Sequence, residues 1–261
     1  MINSEIEIGI IGFGRFGKLL VKHLSPDFKI SVFDIKCNID KADIATHIKT
    51  MGGIQADLQE ICKKDIVIPA VPISEFEDVI KQIAPLLKKG NLVMDVCSVK
   101  EFPAKIMKEN LPEETQIIAA HPMFGPDSAT ESLEGRKIVM CKVRITDKLF
   151  KNIKNHLESK GLIVIETTPE EHDKQIAISL GLTHFIGRSL IDFKADTLTI
   201  DTEGYNRLMH ILGVVKNDTW QLFEDMNHYN RFSEEIRQRF MESIKKIDKK
   251  VSNKKDRRLR K

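Results

Sequence analysis

The chain has 261 residues, of which 41% are hydrophobic and 30% charged, as in an ordinary globular protein of one large or two modest domains. The formal net charge of +3 does not indicate a nucleic-acid partner. No apolar run approaches the ~18 residues that a membrane span needs, so we expect no membrane partner either.

The cysteines do not form a recognisable ligand or disulfide pattern. Cys37, Cys62, Cys97 and Cys141 contain no CxxC pair and no zinc-like spacing, so we expect reduced thiols and no metal. Reduced thiols are typical of a cytoplasmic protein. The first strand begins almost at the N-terminus, which leaves no room for a signal peptide and favours the same location.

The first 34 residues have the pattern of a dinucleotide-binding βαβ unit. Residues 6–11 predict a buried strand, residues 18–24 an amphipathic helix, and residues 30–33 a second strand. A GxGxxG turn over residues 12–17 joins the first strand to the helix. This order of elements predicts nucleotide binding more specifically than the glycines alone.

Each part of this unit has an expected role toward a dinucleotide. Gly12 permits the tight turn, Gly14 lets the backbone approach a pyrophosphate, and Gly17 lets the helix pack closely on the strand. The helix N-terminus offers unpaired N–H groups to the phosphates. We expect the cofactor to contact Gly12, Phe13, Gly14, Arg15, Phe16, Gly17, Asp34, Val71 and Pro72.

Asp34 indicates which dinucleotide is bound. Its carboxylate follows the second strand, where it can accept hydrogen bonds from ribose hydroxyls and would repel the 2′-phosphate of NADP. NAD is therefore the expected cofactor, and NADP stays possible because Lys36 can soften the preference. Residues 70–72 form an apolar segment that can hold the nicotinamide or can be an ordinary strand-ending turn.

Strand and helix patterns alternate through the first two-thirds of the chain. The predicted strands cover residues 65–72, 92–96, 116–120, 137–143 and 162–166, and helices are predicted over residues 75–87, 101–109 and 147–160. Such alternation predicts an α/β fold with a Rossmann-type, doubly wound, mostly parallel sheet. We assign this domain to residues 1–168.

Helical patterns without strands follow Thr168. They predict helices over residues 168–192, 202–212 and 218–247 within an all-helical domain, residues 169–250. A helical domain of this size buries too little apolar surface alone, so we expect it to pair with a second copy as a homodimer. Residues 251–261 form a basic tail, expected to be solvated, with a polyanion-binding arm as the alternative.

Polar residues follow two of the predicted strands, where open α/β sheets bind their ligands. Ser98 and Lys100 follow the strand at residues 92–96, and His121 follows the strand at residues 116–120. An imidazole beside a nicotinamide suggests proton removal coupled to hydride transfer, with Ser98 orienting the imidazole. The alternative is a loop histidine that bonds a backbone carbonyl.

Two segments around these residues resemble prephenate and arogenate dehydrogenases, most closely the plant-type arogenate enzymes. They are Asp-Val-Cys-Ser-Val-Lys-Glu-Phe-Pro at residues 95–103 and His-Pro-Met-Phe-Gly-Pro-Asp-Ser at residues 121–128. The resemblance covers about the first 190 residues well. It extends to residues 12–17, 142–145, 172–173 and 183–188.

The resemblance implies a role in tyrosine biosynthesis, by NAD(P)-dependent oxidative decarboxylation of a cyclohexadienol. In the family, the histidine matching His121 accepts the proton of the ring hydroxyl, and the serine matching Ser98 links histidine, hydroxyl and nicotinamide. The histidine matching His184 lies on a helix that faces the substrate. The helical domain of the family forms the dimer and completes the active site, and the length of this chain leads us to expect no added chorismate mutase domain.

The chain departs from the bacterial enzymes where they use an arginine to bind a substrate carboxylate. His210 aligns with that arginine and Arg207 precedes it by about one turn, while Arg188 and Lys100 are further candidates. Arg188 can equally be a surface or dimer-interface charge. Glu203 aligns with an acid of the plant-type enzymes that would pair with the arogenate ammonium, which favours arogenate and leaves prephenate open.

Several alternatives to these interpretations stay open. The acid of the pair His172-Asp173 can stabilise the start of a helix without any part in chemistry. The plant-type enzymes generally use NADP, from which Asp34 departs. A β-hydroxyacid dehydrogenase or an imine reductase would also join a nucleotide domain to a helical one, and a nucleotide sensor would bind NAD without turnover.

Overall fold

The computed structural model describes residues 5–35 and 41–258 and divides the chain into two compact units, Met1–His172 and Asp173–Lys261. The division falls just beyond Thr168, where the sequence analysis places the domain boundary. Lys36, Cys37 and the end of the predicted basic tail, residues 259–261, lie outside the described residues.

The first unit is built on one eight-stranded sheet. Its strands are β1 (Glu7–Ile11), β2 (Lys29–Phe33), β3 (Gly53–Gln55), β4 (Ile66–Pro69), β5 (Leu92–Asp95), β6 (Gln116–Pro122), β7 (Lys137–Arg144) and β8 (Ile163–Glu166). The strands lie in the order β3-β2-β1-β4-β5-β6-β7-β8, and every pair is parallel except β6 with β7. The prediction of a doubly wound, mostly parallel sheet is confirmed.

Among the described residues, apolar side chains on the strands form at least two core clusters in this unit. One contains Ile10 of β1 and Val32 of β2, and the other contains Met94 of β5 and Ile118 of β6. All four residues of β5 are buried, because a parallel sheet is covered by helices on its faces. Burial of this kind explains why these strands are near-continuous apolar runs in the sequence.

Seven α-helices accompany the sheet within the described part of the first unit. They are α1 (Arg15–Leu24), α2 (Lys41–Thr50), α3 (Leu58–Cys62), α4 (Ile73–Ile83), α5 (Glu101–Asn110), α6 (Pro126–Ala129) and α7 (Asp147–Ser159). The sequence analysis missed α2, β3 and α3. The apolar stripe of α2 is weak, and β3 and α3 have only three and five residues, too few to show a period.

A long helical segment begins at Pro169 and continues into the second unit. It consists of α8 (Pro169–Ile176), a π-helical segment (Ala177–Gly181) and α9 (Leu182–Asp192). Thr168 precedes α8, and its hydroxyl accepts a hydrogen bond from the N–H of Glu171 at 3.2 Å. The predicted helix over residues 168–192 therefore forms, but with a wider turn in its middle, a feature that is frequent at functional sites.

The remaining helices are α10 (Glu203–Lys216), α11 (Trp220–His228) and α12 (Ser233–Arg258). The prediction of one helix over residues 218–247 is wrong, because α11 ends at His228 and α12 begins only at Ser233. The buried Asn230 accepts a hydrogen bond from the N–H of Phe232 at 3.0 Å and donates one to the carbonyl of Asp173 at 2.8 Å. Its side chain thus competes with the helical hydrogen bonds.

The helices of the described residues include none with the length and apolar composition of a membrane span.

Candidate active site at the carboxyl ends of the strands

The glycine-rich turn lies between β1 and α1, and its three glycines meet different constraints. Gly12 has a φ of 103°, and a Cβ there would lie 2.4 Å from the carbonyl oxygen of Ala70. A Cβ at Gly17 would lie 2.0 Å from the carbonyl oxygen of Gly12. A Cβ at Gly14 would meet no atom within 4 Å, so the backbone there borders open space at the start of α1.

Asp34 supports this turn directly. Its Oδ2 accepts a hydrogen bond from the backbone N–H of Phe13 at 2.7 Å. Ala70, which precedes Val71 and Pro72, donates its N–H to the carbonyl of Ile11 at 2.7 Å. The predicted cofactor residues therefore gather at one edge of the sheet, and the open space at Gly14 beside a helix N-terminus fits a dinucleotide pyrophosphate.

The side chains of the turn have contacts of their own. Phe13 is buried, and the ammonium of Lys18 lies 5.4 Å from the centre of its ring. The guanidinium of Arg15 forms an ion pair of 2.6 Å with Asp127, from the second segment that carries the family resemblance. Contacts of the turn to a phosphate would therefore come from its backbone.

A buried ion pair joins the ends of β5 and β6. Asp95 and Lys100 are both fully buried and form an ion pair, and the Lys100 ammonium also donates to the carbonyl of Ala120. The Asp95 carboxylate accepts hydrogen bonds from the N–H of Ala120 and the N–H of Cys97, each at 3.0 Å. Burial raises the pKa of Asp95, and the ammonium and both N–H groups oppose that rise.

This ion pair positions the two residues predicted to be catalytic. Ser98 directly follows Cys97, and His121 directly follows Ala120. The backbone N–H groups of Cys97 and Ala120 both donate to the Asp95 carboxylate, so the ion pair fixes the backbone beside each predicted catalytic residue. Because β5 and β6 are parallel neighbours with Asp95 opposite Ala119, Ser98 and His121 lie at the same edge of the sheet. Lys100 is used within the fold, which leaves its predicted contact with substrate without support from this geometry.

His121 is buried and paired with a second histidine. Its Nδ1 lies 2.9 Å from Nε2 of His172, and the two rings meet edge to face, with centres 5.1 Å apart. Burial is the main cause that holds the pKa of His121 well below 6.5, followed by the neighbouring His172 and Lys100. His121 is therefore neutral at physiological pH and able to accept a proton.

Sequence reasoning missed the contact between these histidines. It treated His172 and Asp173 as the start of a helix, and His172 does lie in the first turn of α8. His121 and His172 are separated by 51 positions in the sequence, and no periodic signal indicates their proximity. A histidine just inside a predicted helix start was the available sign, and only the fold shows its burial and its partner.

In the second unit, His184 and Arg188 lie one turn apart on α9. His184 is buried, its Nε2 lies 3.7 Å from Oδ2 of Asp218, and its Nδ1 has no hydrogen-bond partner among the described residues. Burial, and secondly Arg188, lowers the pKa of His184 to about 4. Arg188 donates to the carbonyl of Asp218 at 2.5 Å and that of Thr219 at 3.1 Å, so it stabilises the turn before α11.

Three other predicted substrate residues share a face of α10. Glu203 and Arg207 form an ion pair of 3.0 Å with both side chains at least three-quarters exposed, at 75% and 79%. His210 lies one turn further and is also exposed. The structure brings these three residues together on a solvent-exposed surface of the second unit.

A family model identifies the first unit. The model of the prephenate dehydrogenase nucleotide-binding domain matches residues 19–166, more than half of the chain. This chain belongs to the prephenate dehydrogenase family. A second model, of the TYRAAT1-like C-terminal domain, matches residues 189–261. Family membership, predicted from residues 95–103 and 121–128, is confirmed.

Curated relatives and solved structures agree with this family. The chain is 31% identical over 267 residues to a probable arogenate/prephenate dehydrogenase of Methanocaldococcus jannaschii, covering 97% of this chain and 58% of that protein. It is 30% identical over 256 residues to the chloroplastic arogenate dehydrogenase 2 of Arabidopsis thaliana, covering 94% of this chain and 70% of the plant protein.

The fold is also that of a solved member of the family. The crystal structure of prephenate dehydrogenase from A. aeolicus, in complex with hydroxyphenyl propionate and NAD+, superposes with a TM-score of 0.77 and 20% sequence identity. The match covers 98% of this chain and 94% of that one. At this identity the likeness shows the shared fold.

Replacement of Lys100 by methionine is expected to lower the free energy of unfolding by about 3–5 kcal/mol, because Asp95 would stay buried without its cation. Urea unfolding followed by circular dichroism measures this change. Lys105→Met is the matched control, since Lys105 is 67% exposed and 4.0 Å from Glu109, and its removal should cost less than about 1 kcal/mol. Equal stability of the two variants would contradict the role given to Lys100.

Proposed function

We propose that this protein is an NAD(P)-dependent prephenate or arogenate dehydrogenase. It would convert prephenate to 4-hydroxyphenylpyruvate or arogenate to tyrosine, with loss of CO₂. The observation that carries the proposal is the buried His121, which lies at the same edge of the sheet as Ser98 and the glycine-rich turn. The names of the archaeal and plant relatives support the same reaction.

His121 would act as the general base. Its Nε2 accepts the proton of the ring hydroxyl while the hydroxyl of Ser98 holds the imidazole and the substrate oxygen together. When bound, NAD would supply the acceptor for the hydride that leaves the ring carbon bearing this hydroxyl. The ring carboxylate leaves as CO₂, its bonding electron pair enters the ring, and His121 returns the proton to the resulting phenolate oxygen.

The residues of the glycine-rich edge would hold the cofactor. Backbone N–H groups of residues 12–17 would bind the pyrophosphate, Asp34 would accept hydrogen bonds from the adenosine ribose, and Val71 and Pro72 would contact the nicotinamide. NAD is the proposed cofactor because a carboxylate that follows the second strand, as Asp34 does, would repel the 2′-phosphate of NADP. NADP stays the alternative.

Further substrate-binding residues are proposed on the helical unit. The Nδ1 of buried His184, which has no hydrogen-bond partner among the described residues, supports a polar ligand at that position. Arg207 and His210 are the proposed partners of the substrate carboxylates, and Glu203 is the proposed partner of the arogenate ammonium. Arg188 donates hydrogen bonds to the backbone carbonyls of Asp218 and Thr219, as Lys100 does to that of Ala120. We therefore assign Arg188 a structural role before a role in substrate binding.

The first test combines each substrate with each cofactor. Purified protein with prephenate or arogenate, and with NAD or NADP, is expected to form reduced nicotinamide, measured by its absorbance. His121→Asn should lower kcat by about 10²–10⁴-fold with an unchanged Kd for NAD, because only the proton acceptor is lost. His156→Asn, which alters a histidine packed on Phe28, is the control and should keep full activity.

The outcomes of this assay separate the proposal from its rivals. Turnover with any of the four pairs supports the family reaction, and the fastest pair identifies substrate and cofactor. NAD binding without turnover would overturn it in favour of a sensor or of a hydroxyacid or imine reductase.

Asp34→Asn is expected to raise the NADP-to-NAD ratio of kcat/KM by about tenfold, the equivalent of about 1.4 kcal/mol of repulsion. The amide removes the negative charge but keeps an oxygen that can accept from the N–H of Phe13. Asp34→Ser should shift the ratio in the same direction. An unchanged ratio in both variants would show that Asp34 does not face the ribose.

We further propose that the helical unit forms a homodimer. Among its described residues only four hydrophobic side chains are buried, Ile176, Ala177, Val215 and Met226. Large apolar side chains are exposed instead, including Phe193 at 79%, Ile200 at 91% and Trp220 at 57%. A stripe on α12 adds Met241, Ile244, Ile247 and Val251, all exposed at a spacing that fits helix-to-helix packing. A second copy would bury this surface.

The paired substitutions Ile244→Gln and Ile247→Gln are expected to shift the protein toward monomer, because they remove apolar surface from the α12 stripe. Sedimentation velocity across a concentration series measures the distribution. Lys246→Gln with Lys249→Gln, on another face of α12, is the control and should leave it unchanged. A wild-type protein that sediments as a monomer at all concentrations would overturn the proposal.

A cytoplasmic location is proposed as well. Cys62, Cys97 and Cys141 are buried and form no disulfide, as expected in a reducing compartment. Cell fractionation tests this location, and recovery of the protein in an oxidising compartment would contradict it.

A further inference from the structure

The contact between His121 and His172 has a geometry that assigns the position of a proton. Nδ1 of His121 and Nε2 of His172 are 2.9 Å apart, which is a hydrogen-bond distance, and both side chains are buried, with 6% and 3% of their surface exposed. Between two neutral imidazoles such a bond holds one proton. One ring nitrogen donates it, and the other must present a lone pair.

The direction of this bond decides whether His121 can be a base. If His172 donated from its Nε2, Nδ1 of His121 would be the acceptor. The single proton of neutral His121 would then sit on its own Nε2, which is the nitrogen left to meet a substrate. If His121 donates from Nδ1, its Nε2 carries a lone pair and can take a proton. Only the second arrangement permits general-base catalysis at Nε2.

We propose that His172 is a positioning residue that accepts the Nδ1–H of His121 and so holds His121 in the tautomer whose Nε2 is free to accept a proton. This inference rests on the proposed function, in which Nε2 of His121 takes the proton of the ring hydroxyl. In water, neutral histidine favours the opposite tautomer, with its proton on Nε2. The fold therefore has to supply the preference, and His172 is the group placed to do so.

The local structure holds His172 in place for this role. It lies in the first turn of α8, and its backbone N–H donates to the carbonyl of Thr168 at 3.0 Å. The hydroxyl of Thr168 in turn accepts from the N–H of Glu171, which fixes where the helix starts. The edge-to-face contact of the two rings further limits rotation of His121.

A neutral acceptor and a carboxylate would act differently on His121. A negative charge beside Nδ1–H would stabilise the protonated imidazole and raise the pKa of His121. The charged or titratable groups that act on His121 are His172 from α8 and Lys100, whose ammonium is paired with Asp95 of β5. An imidazole acceptor orients His121 without adding negative charge beside it.

The tautomer of His121 can be observed directly by NMR of protein labelled with ¹⁵N-histidine. His121→Asn identifies the His121 signals by their loss. In the wild type His121 is expected to carry its proton on Nδ1. In His172→Leu, which has no acceptor, the proton should move to Nε2, whereas His172→Gln keeps an acceptor oxygen near the position of Nε2 and should retain the Nδ1–H form.

Activity should follow the tautomer. His172→Leu is expected to lower kcat by about 10- to 100-fold with little change in KM or in the Kd for NAD, and His172→Gln should restore most of that loss. His156→Gln, the matched control on α7, should leave both kcat and the His121 signals unchanged. Thermal unfolding of each variant separates a local effect from a general loss of structure.

Distinct results would overturn the proposal. A wild-type His121 protonated on Nε2, or an unchanged Nδ1–H form in His172→Leu, removes the assigned role, as does kcat within twofold of wild type in that variant. The NMR result does not depend on turnover. A tautomer that shifts as expected in a protein inactive on every substrate pair would support the role of His172 and reject the proposed reaction.

Discussion

The geometry of the proposed catalytic edge depends on the buried ion pair between Asp95 and Lys100. The hydrogen-bond ladder pairs Asp95 with Ala119 at the end of β5, and beyond that point the chain of residues 97–100 has no strand to hold it. The Asp95 carboxylate and the Lys100 ammonium bind the backbone on both sides of this gap. Two charges removed from water need such complete hydrogen bonding to be tolerated.

The same ion pair links position to electrostatics. Lys100 helps to hold the backbone next to His121, and its positive charge also opposes protonation of His121, together with burial and the nearby His172. A base is useful only while it is unprotonated, so the arrangement that fixes the imidazole also keeps it in its reactive form. One set of contacts therefore gives His121 its place, its charge state and, through His172, its proposed tautomer.

The second unit differs from the first in how its apolar surface is used. The first unit encloses its apolar side chains around a sheet, whereas the described helices of the second leave large apolar side chains in solvent. The π-helical segment Ala177–Gly181 lies between His172 and His184, and its wider turn changes the angular offset between the residues before and after it. Such irregular turns occur where side-chain placement matters more than regular hydrogen bonding.

Much of the molecule was predictable because its signals are local in the sequence. The GxGxxG turn, the strands around it and the alternation of strand and helix predicted the fold, since each depends on neighbouring residues and on burial of one face. Ser98 and His121 were predictable as candidates because the ends of parallel strands share an edge. The sequence analysis gave Lys100 as a candidate to bind substrate, because the sequence alone does not show that the Asp95 carboxylate pairs with its ammonium.

Only the tertiary structure decided the contacts that join distant parts of the chain. His121 and His172 form a pair across a sequence separation of 51 positions. The antiparallel direction of β7 depends on its pairing with β6, and the end of α11 before Asn230 depends on the contact of Asn230 with Asp173. No local pattern in the sequence contains these partners. The amino-acid sequence thus determined the elements, the nucleotide-binding turn and the candidate chemistry, because periodicity and backbone sterics act over a few residues. The fold determined the partner, burial and charge state of each functional side chain, because these depend on which segments pack together in space.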